Sequence, residues 1–452
     1  MGQLAQCAAY RGTTGDGIMR RRARKGGGRQ VDLEIRQLGG RGDGVGEIDG
    51  RPVFVPFTLP GEQVQVRLTG EKAGGYKGEL LELLSESRDR VEPACPHYGP
   101  CGGCTVQHLA DVPYRAWKHG QVVQALQRRG FEAPPVRDLT VVPEQTRRRA
   151  TLAAKLAAGT VQLGFHSRES HVVESIESCR VLRPALVALL PDLRRALQPL
   201  LTGKEIADVA LLESDSGIDV LITSRQAPNL QARQGLAAVA EDHDLARVCW
   251  QPAGARDEEP EPLAIRRPVV TEFAGVRVEP VPGAFLQPTA EGEQALADAV
   301  TGWLDGMQGP IGDFYAGIGT FSFRLAKHAK VHAIEGAETA IASLWQAARK
   351  HDLQGRVTAE VRDLASDPPP ADDLVAFEAV VFDPPRAGAK ELTQELADSD
   401  VETVVALSCN PNTFGRDARI LVDGGFTLHE VRPIDQFPWS GHVELAALFT
   451  RD

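Results

Sequence analysis

The sequence predicts an α/β protein built in three parts, and three observations carry that expectation. From residue 289 onward, short apolar runs alternate with helical periodicity, the rhythm of a parallel sheet covered on both faces. Residues 29–90 instead show period-2 alternation broken by glycine turns, the pattern of a small antiparallel barrel. A length of 452 residues also exceeds what one hydrophobic core serves. A mixed α+β central part, residues 91–288, is expected between barrel and parallel sheet, with residues 1–28 as a disordered basic tail.

In chain order, "QVDLEIRQL", "GVGEIDGRPVFVPF", "EQVQVRLTGE" and "YKGELLELL" supply the barrel strands. Residues 91–130 are rich in Cys, Gly, Pro and His and then turn helical through "YRAWKHGQVVQALQRRG". From 140 to 285, strand-like runs such as "DVALLES" and "GIDVLITS" are interleaved with the helical "ALVALLPDLRRALQPLL", and "GARDEEPEP" reads as a surface loop. Leu296, Val300, Trp303 and Leu304 then fall on one helical face. Strands follow at "IGDFY", "VHAIEG", "RVTAEVRD", "AVVFDPP" and "VETVVALSC", and two more close the chain at "FTLHEVRPID" and "HVELAALFT".

Composition excludes some classes. With 42% hydrophobic and 25% charged residues the chain reads as soluble, and no apolar run nears the roughly 18 residues of a membrane span. The first residues lack a charged segment leading into an apolar core, so a cytoplasmic protein is expected, acting as a monomer. An odd count of seven cysteines argues for metal or catalytic use rather than a disulfide framework. The net charge of −11 does not announce a nucleic-acid binder, yet phosphate contacts need only a local patch. Two candidates exist, "MRRRARKGGGRQ" at 19–30 and Arg147–Arg149.

The glycine turn in "DFYAGIGTFS" follows a strand and precedes a helix, where a doubly wound sheet receives its ligand. It lacks the third glycine of the dinucleotide fingerprint and the Gly-Lys-Ser/Thr of a P-loop. Successive strand tips carry Glu335, suited to a ribose diol, Asp363, suited to an adenine amino group, and Asp383 in "FDPPR". The set favours S-adenosylmethionine over a dinucleotide. Amine methyltransferases place an aromatic after a related Pro-Pro to stack on the base; Arg386 stands there here, so another target atom is expected.

Cys409 ends the fifth strand in "LSCNPNTFGRD", at the edge where active-site groups gather. Uracil C5 is a poor nucleophile, and a thiolate adding at C6 makes it enolate-like; cysteine both attacks and leaves well. A base must then remove the C5 proton. Glu444 in "FPWSGHVELAAL" is the candidate, since burial raises a carboxyl into the working range, and His442 is the alternative. The bland reading of Glu444 is an edge-strand side chain facing water. In "CPHYGPCGGC", Cys95, Cys101 and Cys104 are spaced to surround one centre, and Cys179 is the remaining thiol best placed to complete it. Spacing alone permits zinc or an iron–sulfur cluster.

Together "DFYAGIGTFS", "FDPPRAG", "LSCNPNTFGRDARIL" and "FPWSGHVE" resemble the bacterial RNA uracil-C5 methyltransferases, from about residue 29 to the C-terminus. The resemblance implies a Rossmann-like class I methyltransferase domain over residues 289–452, Cys409 as nucleophile and Glu444 as base. It implies S-adenosylmethionine contacts at Gln287, Tyr315, Thr320, Glu335, Asp363 and Asp383. It further implies a TRAM-like, OB-like RNA-binding barrel at 29–90 and a [4Fe–4S] cluster, rather than zinc, on Cys95, Cys101, Cys104 and Cys179. The expected product is 5-methyluridine, with 23S ribosomal RNA as the partner and transfer RNA as the alternative. Departures from the family pattern are "QAARKHDL" after the second strand, Ala316 where cysteine is common and Thr289 where asparagine is frequent. A cytosine-C5 enzyme is disfavoured because no cysteine adjoins Asp383, and a non-catalytic, cluster-bearing RNA-binding factor is the rival from another class.

Overall fold

A computed structural model of the chain describes residues 28–72, 74–203, 205–255 and 259–451. The basic run at 19–30 therefore lies almost wholly outside the described residues, as does Cys7.

Six strands between Gln30 and Ser85 form the first sheet, curled around Leu33, Ile35, Val53, Val55, Val64 and Val66. Apolar residues at alternate positions of Arg51–Pro56 and Gln63–Lys72 face inward, as the period-2 pattern requires. One pairing differs from the antiparallel expectation. Arg51–Pro56 runs parallel to Gly75–Ser85, with Val53 beside Tyr76, and so closes the sheet onto itself. A seven-stranded sheet follows, centred on Arg149–Ala157, Ile206–Ser214 and Gly217–Ser224, with helices Leu190–Leu197 and Leu230–Asp242 over its core.

The third sheet has eight strands. Five are parallel, in the spatial order Val357–Val361, Val331–Glu335, Ile311–Phe314, Ala379–Phe382 and Thr403–Ser408. The strand order turns between Ile311–Phe314 and Ala379–Phe382, the place where such sheets open a crevice at their carboxyl ends. Glu444–Thr450 then pairs antiparallel with Thr403–Ser408, and Thr427–Asp435 lies outside it.

The expected central segment 91–288 is not a separate unit at its start. Strand Thr140–Val141 adds to the outer edge of the third sheet. Helix Asp111–Gln127 inserts Val122 and Leu126 into the core that also holds Phe414 and Phe449. The reason is burial: the apolar stripe of this helix finds cover on the parallel-sheet domain. No helix among the described residues is long and apolar enough to cross a membrane.

Candidate active site

All functional tips stand on one edge because of strand direction. Parallel strands deliver their carboxyl ends there, and an antiparallel strand delivers its amino end. Glu444 is the first residue of its strand and pairs with Ile434, while Leu445 pairs with Ser408. Glu444 thus arises beside Cys409, the residue after Ser408. It is only 3% exposed and sits on an interior strand, so the edge-strand, water-facing reading is corrected.

A chain of amides joins the carboxylates. Gln287 donates to Asp383 (2.9 Å); Gln436 donates to Gln287 Oε1 (2.9 Å) and to Glu444 (3.0 Å). Burial raises Asp383 to about 7 and Glu444 to about 8, with the charge of Asp383 adding to the latter. Burial, then the charges of Glu444 and Asp383, push the Cys409 thiol up to about 11, against the opposing guanidinium of Arg386. His442, the alternative base, is lowered to about 4 by burial and by the charges of Arg386, Lys118, Arg147 and Arg41. Gln436 carries no sequence signal of its own; only the pairing of the last two strands brings it between Gln287 and Glu444.

On the other side of the crevice, Gly317 and Gly319 have φ of +56° and +98°, and a Cβ on Gly319 would lie 2.5 Å from the Phe323 ring. Glu335 clamps this turn by accepting from Gly317 N (3.0 Å) and Ala337 N (2.9 Å). Tyr315 holds a left-handed φ of +59°, and its buried hydroxyl has no partner among the described residues. Thr320 offers its carbonyl to Arg324. Asp363 accepts from Ala365 N (3.1 Å) and Ser366 Oγ (2.7 Å), bonds that hold it below the usual carboxylate range. Tyr315, Thr320, Glu335, Asp363 and Asp383 therefore stand at the carboxyl edge of the parallel strands, where Gln287 bonds to Asp383 and, through Gln436, is linked to Glu444.

The loop after Asp435 is anchored from a distant part of the chain. Lys118 is wholly buried and pairs with Asp435 (2.8 Å) while donating to the carbonyls of Phe437 (3.0 Å) and His442. Tyr114 donates to the other Asp435 oxygen and accepts from Trp439 N. Removing one partner leaves a charge buried alone, so Lys118→Met should cost about 3–5 kcal/mol. Chemical denaturation should show this loss largely recovered in Lys118→Met/Asp435→Asn. A double variant no more stable than the single one would disprove the pairing.

Of the two proposed basic patches, Arg147–Arg149 is corrected at its centre. Arg148 is buried, bonded to Glu293 (2.6 Å) and to the Gln287 carbonyl (3.1 Å), and has no face for a phosphate. Other arginines gather in a cleft that Glu169 and Asp43, the latter paired with Arg168, also line. This cleft of about 960 Å³ runs from the curled sheet to Cys409, with Arg41, Arg128, Arg168 and Arg386 on its walls.

The cysteine-rich loop forms the cleft's rim through Gly102 and Gly103. Cys95, Cys101, Cys104 and Cys179 are half-buried free thiols. They lie near enough for their charges to act on one another: burial first, then the neighbouring thiols, raise Cys101, and push Cys104 to about 12. Backbone N–H groups point at two sulfurs, Gly103 at Cys101 (3.5 Å) and Val181 and Leu182 at Cys179 (3.4 Å each). Among the described residues no group of three or more His, Cys, Asp or Glu stands in an arrangement that could hold a single metal ion. Cys249 is buried in the central sheet, apart from this set.

Comparison with known proteins follows the same division of the chain. The TRAM domain model matches residues 25–81, and the model described as tRNA (uracil-5-)-methyltransferase matches residues 371–452. A protein of Rhizobium meliloti, named an RNA methyltransferase, is 41% identical over 421 residues, covering 92% of this chain and 98% of that one. The 23S rRNA (uracil(1939)-C(5))-methyltransferase RlmD of Chromohalobacter salexigens is 34% identical, over 93% of this chain and 89% of its own. Among solved structures, the Pyrococcus abyssi tRNA (uracil-54, C5)-methyltransferase bound to S-adenosyl-L-homocysteine shares the fold, with TM-score 0.70 over 93% of this chain and 100% of that one, at 22% identity. Relatives this similar along nearly their whole length show that the chain belongs to the RNA (uracil-5-)-methyltransferase family, as a member carrying a TRAM domain.

Proposed function

We propose that this enzyme makes 5-methyluridine in ribosomal RNA, with Cys409 as nucleophile and Glu444 as base. The observation that carries the reading is the alignment of Asp383, Cys409 and Glu444 on three adjacent strands, linked through Gln287 and Gln436, with Cys409 opening into a cleft that carries four arginines. The preference for ribosomal RNA rests on the RlmD relative, which is 34% identical; the tRNA enzyme of known structure, at 22%, shares the fold alone.

The crevice at the strand-order reversal suits S-adenosylmethionine, whose chemistry is to supply an electrophilic methyl group. Glu335 and Asp363 stand where a ribose and an adenine would be bound, and the Tyr315 hydroxyl is a buried group awaiting a partner. The target uridine leaves its stack to reach Cys409. The thiol of Cys409 gives its proton to solvent with the help of the Arg386 charge, and the thiolate adds to uracil C6. The resulting enolate takes the methyl group at C5. Glu444 then removes the C5 proton, the C5–C6 double bond re-forms, and the Cys409 thiolate departs. The proton passes from Glu444 to solvent, so the net change is replacement of C5–H by C5–CH3. Gln436 fixes the Glu444 carboxyl through the cycle.

A carboxyl pair titrating near neutrality should also report cofactor charge. Binding of the S-adenosylmethionine sulfonium favours ionised Asp383 and Glu444, lowering both pKa values and releasing protons near pH 7. S-adenosylhomocysteine, which lacks the sulfonium charge, should release fewer. Calorimetry in buffers of different ionisation enthalpy measures this; equal release by the two ligands would remove the linkage.

The four cysteines suit a [4Fe–4S] cluster by donor chemistry: four thiols, with N–H groups aimed at two of the sulfurs. Bound there, it would brace the loop whose backbone at Thr105 and Val106 holds Trp439. Anaerobically purified protein is expected to contain about four iron atoms per chain by that stoichiometry, and Cys104→Ala to lose them. Zinc in their place would overturn this assignment.

The test of the whole reading is isotope transfer from labelled S-adenosylmethionine to unmodified RNA, with nucleoside mass spectrometry of RNA from a deletion strain. Loss of 5-methyluridine at one ribosomal position is the expected result, and its loss from transfer RNA alone would reassign the substrate.

A further inference from the structure

The cleft is larger than its catalytic end requires. Its volume of about 960 Å³ extends from Cys409 as far as the curled sheet. Much of the remaining wall is one face of helix Asp111–Gln127, bearing Trp117, Gly120, Gln121, Gln124 and, just past its end, Arg128. The opposite face, with Tyr114, Lys118, Val122 and Leu126, is buried in the protein.

Two hydrogen-bond donors on the cleft face have no use in the free protein. Trp117 Nε1 and Gln121 Nε2 are both buried, and neither has a hydrogen-bond partner among the described residues. A buried, unsatisfied N–H costs about 1–3 kcal/mol, so two of them one turn apart on a helix are an arrangement that a ligand completes. Residues at this i, i+4 spacing are neighbours on the helix surface. The turn Gly39–Arg41 approaches Gln121: a Cβ on Gly40 would lie 3.5 Å from Gln121 Oε1.

We infer that Trp117 and Gln121 form a second base subsite, reading an unpaired nucleotide that flanks the target uridine and offers two adjacent acceptors on one edge. Guanine does so through N7 and O6, and cytosine through N3 and O2. Adenine and uracil interleave donor with acceptor on those edges and leave one N–H of the pair unmet. Arg128 on the same wall stands ready for the phosphate of this strand. Trp117 and Gln121 are thus specificity residues, and the subsite rests on the uracil-methylation reading given above.

A library of RNA hairpins tests it, each carrying one 5-fluorouridine in an unpaired loop with randomised neighbours. Fluorine at C5 cannot be removed by a base, so an RNA that is attacked and methylated stays bonded to the enzyme and can be recovered and sequenced. Wild-type enzyme should enrich G or C about 10-fold over A or U at one flanking position, the discrimination of a two-bond base contact. Gln121→Glu, which turns a donor into an acceptor, should lose that preference, because every base offers an adjacent donor and acceptor on one edge; Trp117→Phe keeps an aromatic ring without the N–H and should weaken it. A purely structural effect lowers trapping equally for every neighbour and overturns the subsite. So does a wild-type pool with no flanking preference, while trapping itself upholds uracil methylation. Failure of wild-type enzyme to trap any RNA overturns both.

Discussion

Cys409→Ala is expected to abolish methyl transfer to RNA while leaving the cofactor crevice intact. Without the sulfur, uracil C5 must meet the methyl donor as an unactivated alkene carbon, and neither Glu444 nor His442 can substitute. His442 is a neutral ring at working pH, and Glu444 is too weak a nucleophile to supply a stable adduct at C6. The loss should be about 10⁴-fold or more, since removing a covalent nucleophile forfeits a whole pathway rather than one contact. Structural damage should be slight. Cys409 is half-buried at the mouth of the cleft, and its neighbours Ser408 and Asn410 secure the strand–helix turn through their own hydrogen bonds. Tritium transfer from S-adenosylmethionine gives the rate, and calorimetric binding of S-adenosylhomocysteine checks that the crevice survives. Transfer at the wild-type rate by the alanine variant would remove Cys409 from the mechanism.

Glu444→Gln should do the reverse and stop the reaction late. The amide is the same shape and can still accept from Gln436, whose Nε2 stands 3.0 Å from the present carboxylate, so the site should keep its form. Addition of Cys409 and methyl transfer need no base at C5 and should proceed. Proton removal does need one, and losing a positioned base costs about 10²–10⁴-fold. RNA methylated at C5 should therefore accumulate bonded to protein, visible as a slow band on a denaturing gel that carries both the methyl label and the RNA. A variant that turns over freely, with no such band, would return Glu444 to a structural role and direct the search for the base to Asp383. The substitution also removes the charge that, after burial, does most to raise the Cys409 thiol. Adduct formation should consequently begin at lower pH than in the wild-type enzyme.

Much of this architecture was legible in the chain. Alternating runs announced the curled sheet and the parallel sheet because each period reflects which faces are buried, and burial is a local demand on residue type. The candidate groups on the parallel strands, Glu335, Asp363, Asp383 and Cys409, were found because each follows an apolar run directly, and topology sends all such ends to one edge. What local pattern does not carry is pairing between distant segments. Nothing around Lys118 announces that it meets Asp435, or that helix Asp111–Gln127 belongs with the catalytic sheet and not the central one. Arg148 looked like surface charge because three arginines in a row usually are; its burial against Glu293 follows from how the second and third sheets meet. Gln436 likewise becomes a bridge only once Thr427–Asp435 and Glu444–Thr450 lie side by side. By itself, then, the sequence determined the three-part order, the sheet types and the residues with chemistry to offer, since these depend on composition and spacing. Tertiary structure alone decided the environment of each one. Depth below the surface and the charge of the nearest neighbour set whether a carboxyl such as Glu444 titrates near 4 or near 8, and both come from parts of the chain far away in sequence.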